Sequence, residues 1–271
     1  MQPLIDIIKQ KKELKDISDD FVIDYLNKYK IQHHLKTLPT NAKSKDFKIV
    51  VKDIRAELRK VYGLFRTRDN AKLRHELIKQ LNTKDIHLKI LETHASTTER
   101  LPIYKNLYVE IFKITKKPNT ILDLGCGVNP FSIPFMNIKP TYYAYDINKE
   151  EIITINEYFK FHKIKGHAEL LDISKKTDLQ KLPPADLAFL FKVSAILDQG
   201  KGHKKTEEVI DAIPAKFVVV SFPTLTMSGK PMTAPRQSWM EWLCKRRNWD
   251  YSIVEFKNEI FYVLVSDKNN A

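Results

Sequence analysis

The stretch TILDLGCG, residues 120–127, decides the fold of this chain. It opens with a short apolar run typical of a buried parallel strand, and two glycines, Gly125 and Gly127, follow that strand directly. The chain has 271 residues but only seven glycines, so their concentration at this point needs a local reason. Glycine lets a backbone turn sharply and approach a ligand closely, and the segment that follows can open a helix. The stretch therefore predicts a strand that ends in a ligand-binding turn.

From this stretch onward, short apolar runs rich in β-branched and aromatic residues alternate with helical or loop segments. The first five predicted strands are TILDL (120–124), TYYAYDI (141–147), AELLDI (168–173), ADLAFLFKV (185–193) and KFVVVSFP (216–223). The last two runs, YSIVEFK (251–257) and EIFYVLVS (259–266), are separated by Asn258 and predict an antiparallel pair. The alternation predicts a doubly wound α/β fold with a seven-stranded, mostly parallel sheet, whose ligand binds at the carboxyl ends of the strands.

Before this region, up to about residue 91, apolar residues recur at helical spacing and predict a string of short helices. Ser18 and Asp85 stand at positions typical of N-caps. No apolar stretch approaches the ~18 residues of a membrane-spanning helix. The two cysteines, Cys126 and Cys244, are too few for a disulfide framework and lack the pairing of a zinc site. We therefore expect a cytoplasmic protein with no membrane segment and no metal.

The chain is strongly basic, with 46 Lys and Arg residues against 33 Asp and Glu, a net charge of +13 and a pI near 9.4. Such a balance predicts a polyanionic partner. Five cations in the N-terminal region are spaced three and four residues apart, so they share one stripe of a helix. They are Lys45, Lys48, Lys52, Arg55 and Arg59. Neighbouring like charges do not stabilise a helix, so contacts with a phosphate backbone explain the stripe, and a solvated helix face is the alternative.

Acidic residues follow the next two predicted strands. Asp146 ends the second strand, at a position where an acidic side chain takes the ribose hydroxyls in this architecture, and Asp172 ends the third. A dinucleotide-binding fingerprint would require a third glycine at position 130, where this chain has Pro130. Two glycines followed by an acid after each of the next two strands instead resemble the S-adenosylmethionine pocket of class I (Rossmann-like) methyltransferases.

Other segments stand around this pocket in a distinctive order. They are His94–Arg100, Asn129-Pro130, Leu190-Phe191-Lys192, Gln199, Ser221-Phe222-Pro223, Ser228-Gly229-Lys230 and Asn258-Glu259. Together they resemble the Arm/Rmt (FmrO-like) family of aminoglycoside-resistance methyltransferases, over roughly residues 50 to 266. The resemblance implies a helical RNA-docking region at 1–93, a methyltransferase domain at 94–271 and S-adenosyl-L-methionine as cofactor. The implied target is N7 of guanine 1405 in the 16S rRNA of assembled small ribosomal subunits.

The resemblance also implies which residues hold the cofactor. They are His94, Ala95, Ser96, Thr97, Thr98, Glu99, Arg100, Gly125, Asp146, Asp172, Ile173, Leu190 and Gln199. Arg100 would clamp the methionine carboxylate, a task that suits a planar guanidinium, and Asp172 would hold the adenine. The residues alone leave an alternative open, in which Thr97, Glu99 and Arg100 form a capping box with a solvated arginine.

Three features are less determined. Lys192 has no assigned role, and a strand-end ion pair with Asp186 or Asp198 is the alternative to a functional one.

The loop after Lys230 departs from the family, which continues with a Gly-Met pair and a tyrosine, whereas this chain has PMTAPRQSW at 231–239. We expect Lys230 and Arg236 in this loop to face RNA. Trp239 either stacks on a base or packs in the core as the first residue of a helix predicted over 239–246.

The chemistry expected of such an enzyme requires few groups. Guanine N7 is an unprotonated acceptor that attacks a methyl group with its own lone pair, so we expect no catalytic acid or base. Three other functions stay open: methylation of a small molecule, methylation of another rRNA nucleotide, and a non-catalytic role in ribosome binding or assembly.

Overall fold

The computed structural model describes residues 1–15, 17–62, 71–198, 202–226, 230–232 and 237–265. Seven strands form one sheet in the order β3-β2-β1-β4-β5-β7-β6. They are β1 (Thr120–Leu124), β2 (Thr141–Asp146), β3 (Gly166–Leu170), β4 (Ala185–Phe191), β5 (Ala215–Pro223), β6 (Asp250–Glu255) and β7 (Glu259–Val265). Strands β1 to β5 pair in parallel, and β7 runs antiparallel to β5 and β6. The predicted class I methyltransferase fold with its antiparallel C-terminal pair is therefore confirmed.

The third strand differs from its predicted bounds. It covers residues 166–170 instead of 168–173, so Asp172 lies in the turn after the strand and not at its end. The strand lies at the edge of the sheet, and Ala168 is its one buried residue. An edge strand needs no continuous apolar run, which is why the apolar pattern misplaced it. Asp146, by contrast, ends β2 as predicted.

Helices cover both faces of the sheet. In the described residues they are α1 (Gln2–Lys9), α2 (Asp19–Gln32), α3 (Lys45–Tyr62), α4 (Ala71–Ile78), α5 (Ile86–Leu91), α6 (Ala95–Arg100), α7 (Tyr104–Thr115), α8 (Lys149–His162), α9 (Lys176–Leu179), α10 (Ser194–Asp198), α11 (Lys204–Ala212) and α12 (Ser238–Arg247). One apolar core holds side chains of α5, α7 and α8, and a second, on the other side of the sheet, holds those of α11 and α12. This layering leaves the carboxyl ends of the parallel strands open for a ligand.

The first three helices, here called the N-terminal bundle, have an apolar cluster of their own. Ser18 caps α2 as predicted, because its Oγ accepts a hydrogen bond from the Phe21 N–H at 3.3 Å. Ile147, just after β2, and Ile196 in α10 pack against the same cluster. The bundle is therefore seated at the carboxyl edge of the sheet, beside the predicted ligand site.

Helices α4 and α5 pack differently from the bundle. Leu77, Ile90 and Leu91 belong to the core that also contains α7 and β1. Asp85 precedes α5 as predicted, but it has a positive φ of 59° and its side chain makes no capping bond. The division of the chain at residue 93 stays a prediction. Residues 77–91 share the core of the sheet, whereas the N-terminal bundle has an apolar cluster of its own.

Candidate cofactor site and basic surfaces

The turn after β1 forms one wall of a cavity. Gly125 and Gly127 have φ values of 68° and 48°, in the left-handed region that glycine adopts without strain. The backbone N–H groups of Gly125 and Cys126 both donate to the carbonyl oxygen of Tyr145, at 2.8 and 3.0 Å. A Cβ atom at Gly125 would lie 2.7 Å from Cγ1 of Val193. The turn therefore needs glycine at position 125 for its conformation and for the space beside it.

The cavity has a volume of about 790 Å³ and lies at the carboxyl ends of the central strands. Most of the predicted cofactor residues line it. They are His94, Ser96, Thr97, Arg100, Gly125, Asp146, Asp172 and Ile173. Ala95, Thr98, Glu99 and Leu190 are not among the lining residues, and Leu190 is buried in the core that contains α11 and α12. Gln199 lies outside the described residues.

Asp146 organises the turns on either side of it. Its Oδ2 accepts a hydrogen bond from the Gly127 N–H at 2.9 Å, and its Oδ1 accepts one from the Asn148 N–H at 2.9 Å. Asp146 is thus held in one orientation at the cavity wall, as a ribose-binding acid requires.

Asp172 has an acceptor available at the same cavity. Its Oδ1 accepts from the Ser174 N–H at 3.0 Å, whereas its Oδ2 is buried without a hydrogen-bond partner among the described residues. An unpaired buried acceptor is costly unless a ligand donates to it. The exocyclic amino group of an adenine is a donor of the required kind. Ile173 beside it provides apolar surface for a ring.

Arg100 supplies the complementary donor. It is 2% exposed, and its Nε donates to both carboxylate oxygens of Glu259 at 3.0 Å. Its Nη2 is buried and has no hydrogen-bond partner in the described part of the chain. Burial disfavours its charged form, but the carboxylate of Glu259 outweighs this effect, and the pKa of Arg100 is raised above its ordinary value. A charged donor on a cavity wall without a partner suits the carboxylate of a ligand.

The alternative interpretation of this segment as a capping box is wrong. His94 is the N-cap of α6, and Thr97 lies inside the helix, where its hydroxyl donates to the carbonyl oxygens of Leu91 and His94. Arg100 is buried instead of solvated.

Lys192 pairs with neither of the two aspartates considered from the sequence. It is 5% exposed, and its Nζ donates to Oε2 of Glu99 at 2.6 Å and lies 3.2 Å from Oε2 of Glu259. Ser221 donates its hydroxyl to Oε1 of Glu259 at 2.5 Å. Two buried cations thus share Glu259, which is 0% exposed, and the cluster lies directly beside the cavity. We call Glu99, Arg100, Lys192, Ser221 and Glu259 the ionic cluster.

A buried polar network supports the glycine turn from below. Oδ2 of Asp123 accepts hydrogen bonds from Asn129 Nδ2 at 3.0 Å and from the Tyr142 hydroxyl at 2.7 Å. The Tyr104 hydroxyl in turn donates to Asn129 Oδ1 at 2.9 Å. Burial raises the pKa of Asp123 to about 6. Asp123 and Asn129 also line the cavity, so this network fixes part of its shape.

Sequence reasoning missed one wall of the cavity, which comes from the N-terminal bundle. Six residues of α2 line it: Phe21, Asp24, Tyr25, Asn27, Lys28 and Ile31. Lys175, in the turn after β3, also lines it and forms an ion pair with Asp24. In sequence, the polar members look like a solvated face, and Phe21 and Tyr25 look like ordinary core positions of a helix. No motif in α2 signals that this face meets a cavity.

The predicted cationic stripe of α3 divides into two groups. Arg55 donates from Nε to the carbonyl oxygen of Ile8 at 3.3 Å and from Nη2 to that of Ile7, so it satisfies the last carbonyls of α1. Arg59 donates from Nε to Oε1 of Glu13 at 2.8 Å. The remaining members are exposed to solvent; they are Lys45, Lys48 and Lys52. Arg55 therefore joins α3 to α1, Arg59 is exposed and forms a surface ion pair, and the three lysines are available to a partner.

The loop after Lys230 is only partly described, and Arg236 lies outside the described residues. Lys230 is exposed, and its backbone N–H donates to Oγ1 of Thr226 at 3.2 Å. Trp239 is half-buried in α12, and its ring stacks on that of His203 with centroids 3.9 Å apart and planes at 6°. Trp239 also packs against the core that contains α11 and α12, so its predicted core role is confirmed in part, and stacking on a base stays a prediction.

The described residues include no helix with the length and apolar character that a membrane span requires. Nor do they contain a group of three or more His, Cys, Asp or Glu side chains placed to hold a metal ion.

Comparison with known proteins defines the class of this fold and site. Residues 34–263 match the family described as ribosomal RNA methyltransferase (FmrO). The chain belongs to this family, as its motifs predicted.

Relatives of established name agree with the family. A 16S rRNA (guanine(1405)-N(7))-methyltransferase of Frankia casuarinae is 28% identical over 181 residues, which are 65% of this chain and 62% of the relative. One of the same name from Proteus mirabilis is 34% identical over 153 residues, 54% of this chain and 52% of the relative. The chain thus matches less than two thirds of the length of these relatives.

Solved structures give the same result for the fold. The 16S rRNA methylase ArmA is 28% identical with a TM-score of 0.57, covering 71% of this chain and 97% of that one. The 16S rRNA methyltransferase RmtF, crystallised with S-adenosyl-L-homocysteine, has a TM-score of 0.78 and covers 97% of both chains. At 21% identity, RmtF is a likeness of fold.

Proposed function

We propose that this protein transfers a methyl group from S-adenosyl-L-methionine to N7 of one guanine, guanine 1405, in the 16S rRNA of the small ribosomal subunit. The names of the relatives support the target, and one observation of the structure supports the cofactor. Arg100 and Asp172 line a single cavity, and each has one buried polar atom, Nη2 of Arg100 and Oδ2 of Asp172, without a hydrogen-bond partner among the described residues. A ligand with a carboxylate at one end and an adenine at the other satisfies both.

The residues present fit this cofactor. Arg100 would bind its carboxylate, Asp146 its ribose hydroxyls, and Asp172 with Ile173 its adenine, while Gly125 allows close approach of the backbone. When bound, S-adenosyl-L-methionine supplies an electrophilic methyl group on a sulfonium. Glu259 orients Arg100 through its Nε and leaves Nη2 without a hydrogen-bond partner among the described residues. The ionic cluster therefore fixes the position of the Arg100 guanidinium before the cofactor binds.

The chain's contribution to the methyl transfer would be positioning. Guanine N7 carries its own lone pair, so no residue has to remove a proton from it. What the protein must do is hold N7 in line with the methyl group. In helical RNA this atom lies in a deep, narrow groove, so the base must be turned out or presented by a distorted helix. Contacts elsewhere on the protein have to supply the energy for that distortion.

Exposed lysines on α3 are suited to supply such contacts. Lys45, Lys48 and Lys52 lie along one side of a helix and are open to solvent, which favours contacts with phosphates of rRNA. Arg55 bonds carbonyl oxygens of α1 and would act by holding this surface in shape, whereas Arg59 forms an exposed ion pair with Glu13. We keep Lys230 and Arg236 as candidate contacts near the target base. A ribosomal partner would place the protein in the cytoplasm.

Transfer of labelled methyl groups tests the proposal. Purified protein is incubated with methyl-labelled S-adenosyl-L-methionine and with intact small subunits, free 16S rRNA or large subunits. We expect label in the 16S rRNA of intact small subunits alone. Cells that produce the protein should also resist aminoglycosides of the 4,6-linked deoxystreptamine class, because the added methyl group and charge disturb the drug's contacts with the rRNA. Unlabelled RNA with intact cofactor binding would instead favour a non-catalytic role on the ribosome.

A further inference from the structure

Helix α2 has two sides with different surroundings. Val22, Leu26 and Tyr29 are buried in the apolar cluster of the N-terminal bundle. Asp24 and Lys28, four residues apart on another side of the same helix, line the cavity together with their neighbours. One helix is thus shared between the bundle core and the ligand cavity.

The ion pair between Asp24 and Lys175 connects α2 to the turn that presents Asp172. Lys175 donates its backbone N–H to the carbonyl oxygen of Asp172 at 3.0 Å, and Asp172 Oδ1 accepts from Ser174 in the same turn. The hydrogen bond to Asp24 raises the pKa of Lys175 above its ordinary value. The pair is partly exposed, with Asp24 at 28% and Lys175 at 40%. The bundle therefore holds Lys175, and Lys175 belongs to the turn of Asp172.

A second contact reaches the turn of the other acid. Ile17, just before α2, forms an isolated antiparallel bridge with Asn148. The N–H of Asn148 donates to Oδ1 of Asp146 at 2.9 Å. The segment around α2 therefore touches the turns of both acidic residues, Asp146 and Asp172, and Ile147 between these contacts packs against the bundle core.

We infer that α2 is a wall of the cofactor site, and that Asp24, acting through Lys175, is a positioning residue for the turn that binds the adenine. The inference rests on the proposed function in one respect, the identity of the ligand in the cavity. It predicts that cofactor affinity depends on the packing of the N-terminal bundle against the turns that follow β2 and β3. By linkage, bound cofactor stabilises this packing to the same extent. The cofactor site is therefore coupled to the surface that carries the α3 lysines.

Calorimetric titration with S-adenosyl-L-homocysteine tests the inference on the full-length protein. Asp24→Asn and Lys175→Gln should each weaken binding roughly three- to tenfold, a modest effect because the pair is partly exposed. The double variant should be no weaker than either single variant, because the same pair is lost in all three. Asp19→Asn is the matched control, since it removes another ion pair of α2, with Lys9, that lies outside the cavity. Its affinity should stay within about twofold of the parent.

Hydrogen exchange on the unmodified protein gives an independent result. Addition of S-adenosyl-L-homocysteine should slow exchange of the amides of residues 19–32 as well as those of residues 171–175. Affinities of Asp24→Asn and Lys175→Gln within twofold of the parent would overturn the inference, and so would unchanged exchange in α2 with slowed exchange around Asp172. Absence of binding by the parent protein would instead reject the proposed function.

Discussion

The cations beside the cavity and those on the N-terminal bundle differ in burial and in partners. Arg100 and Lys192 are 2% and 5% exposed and share the carboxylate of Glu259. By contrast, three lysines of α3 face solvent. They are Lys45, Lys48 and Lys52. A buried charge requires partners at fixed positions, so it is suited to bind a single ligand group at a defined position. An exposed lysine suits the diffuse field of a phosphate backbone.

The strongest test of this contrast is removal of the shared carboxylate. Glu259→Gln leaves Lys192 with the exposed carboxylate of Glu99 and takes from Arg100 the one carboxylate that it contacts among the described residues. Loss of one partner from a buried ion pair costs roughly 3 to 5 kcal/mol. We expect a loss of that size in the free energy of unfolding, measured by urea denaturation. Glu255→Gln, at an exposed position of the same hairpin, should change it by less than about 0.5 kcal/mol. Equal stability of the two variants would contradict the role of the ionic cluster.

The network beneath the glycine turn predicts a pH dependence. The pKa of Asp123 is about 6 in the folded protein, above its ordinary value of 3.8. Between about pH 4 and pH 6 the folded state retains a proton that the unfolded chain has lost, so the contribution of this group to stability falls as pH rises. Two pKa units correspond to at most about 3 kcal/mol.

Asp123→Asn removes this titration. The free energy of unfolding of the variant minus that of the parent should therefore increase by up to about 3 kcal/mol between pH 4 and pH 7. Denaturation by urea at each pH measures the difference. A difference that is the same at every pH would show that Asp123 does not titrate in this window.

A substitution in the cavity itself should change cofactor affinity, with a smaller effect than the changes in stability above. Asp172→Asn replaces the unpartnered acceptor Oδ2 by an amide group while keeping its shape. Loss of a hydrogen bond to a charged group should weaken binding of S-adenosyl-L-homocysteine by roughly 1 to 3 kcal/mol in calorimetry. Asp178→Asn, a few residues further in α9, is the control and should bind as the parent does. Asp146→Ala is a less specific variant, because Asp146 also holds the N–H groups of Gly127 and Asn148.

The exposed lysines should affect ribosome binding and leave stability unchanged. Replacing Lys45, Lys48 and Lys52 by Gln should weaken binding to small subunits and lower the slope of log affinity against log salt by roughly 2, if all three meet phosphates. Arg55 is excluded from this set because its loss would uncap α1. A control that replaces Lys139, Lys160 and Lys165 removes the same charge from the methyltransferase region. Equal salt slopes for the two triple variants would show that the α3 lysines form a solvated helix face and do not contact phosphates.

The sequence predicted structure correctly where the pattern and its physical cause lie in the same segment of the chain. The apolar run before Gly125 predicted β1, and the acid at the end of β2 was placed correctly because strand ends meet at one edge of a parallel sheet. The partners of Lys192 were not predictable, because Glu99 and Glu259 are remote from it in sequence and only the fold brings them together.

The N-terminal region shows the same limit. Arg55 and Lys52 belong to one predicted stripe, yet one satisfies carbonyls of α1 and the other faces solvent. Helical periodicity places both on the same side of α3 but does not reveal which neighbouring helix lies beside them. The contribution of α2 to the cavity was missed for the same reason.

Chemical mapping of the methylated nucleotide tests the central claim most directly. A methyl group on guanine N7 makes the base labile, so reduction of the modified 16S rRNA followed by aniline treatment cuts the chain at that nucleotide. With small subunits treated by this protein and S-adenosyl-L-methionine, we predict a single new cut at guanine 1405. A cut at another guanine would keep the chemistry and reject the target. Methylated rRNA without any aniline-sensitive site would contradict N7 methylation itself.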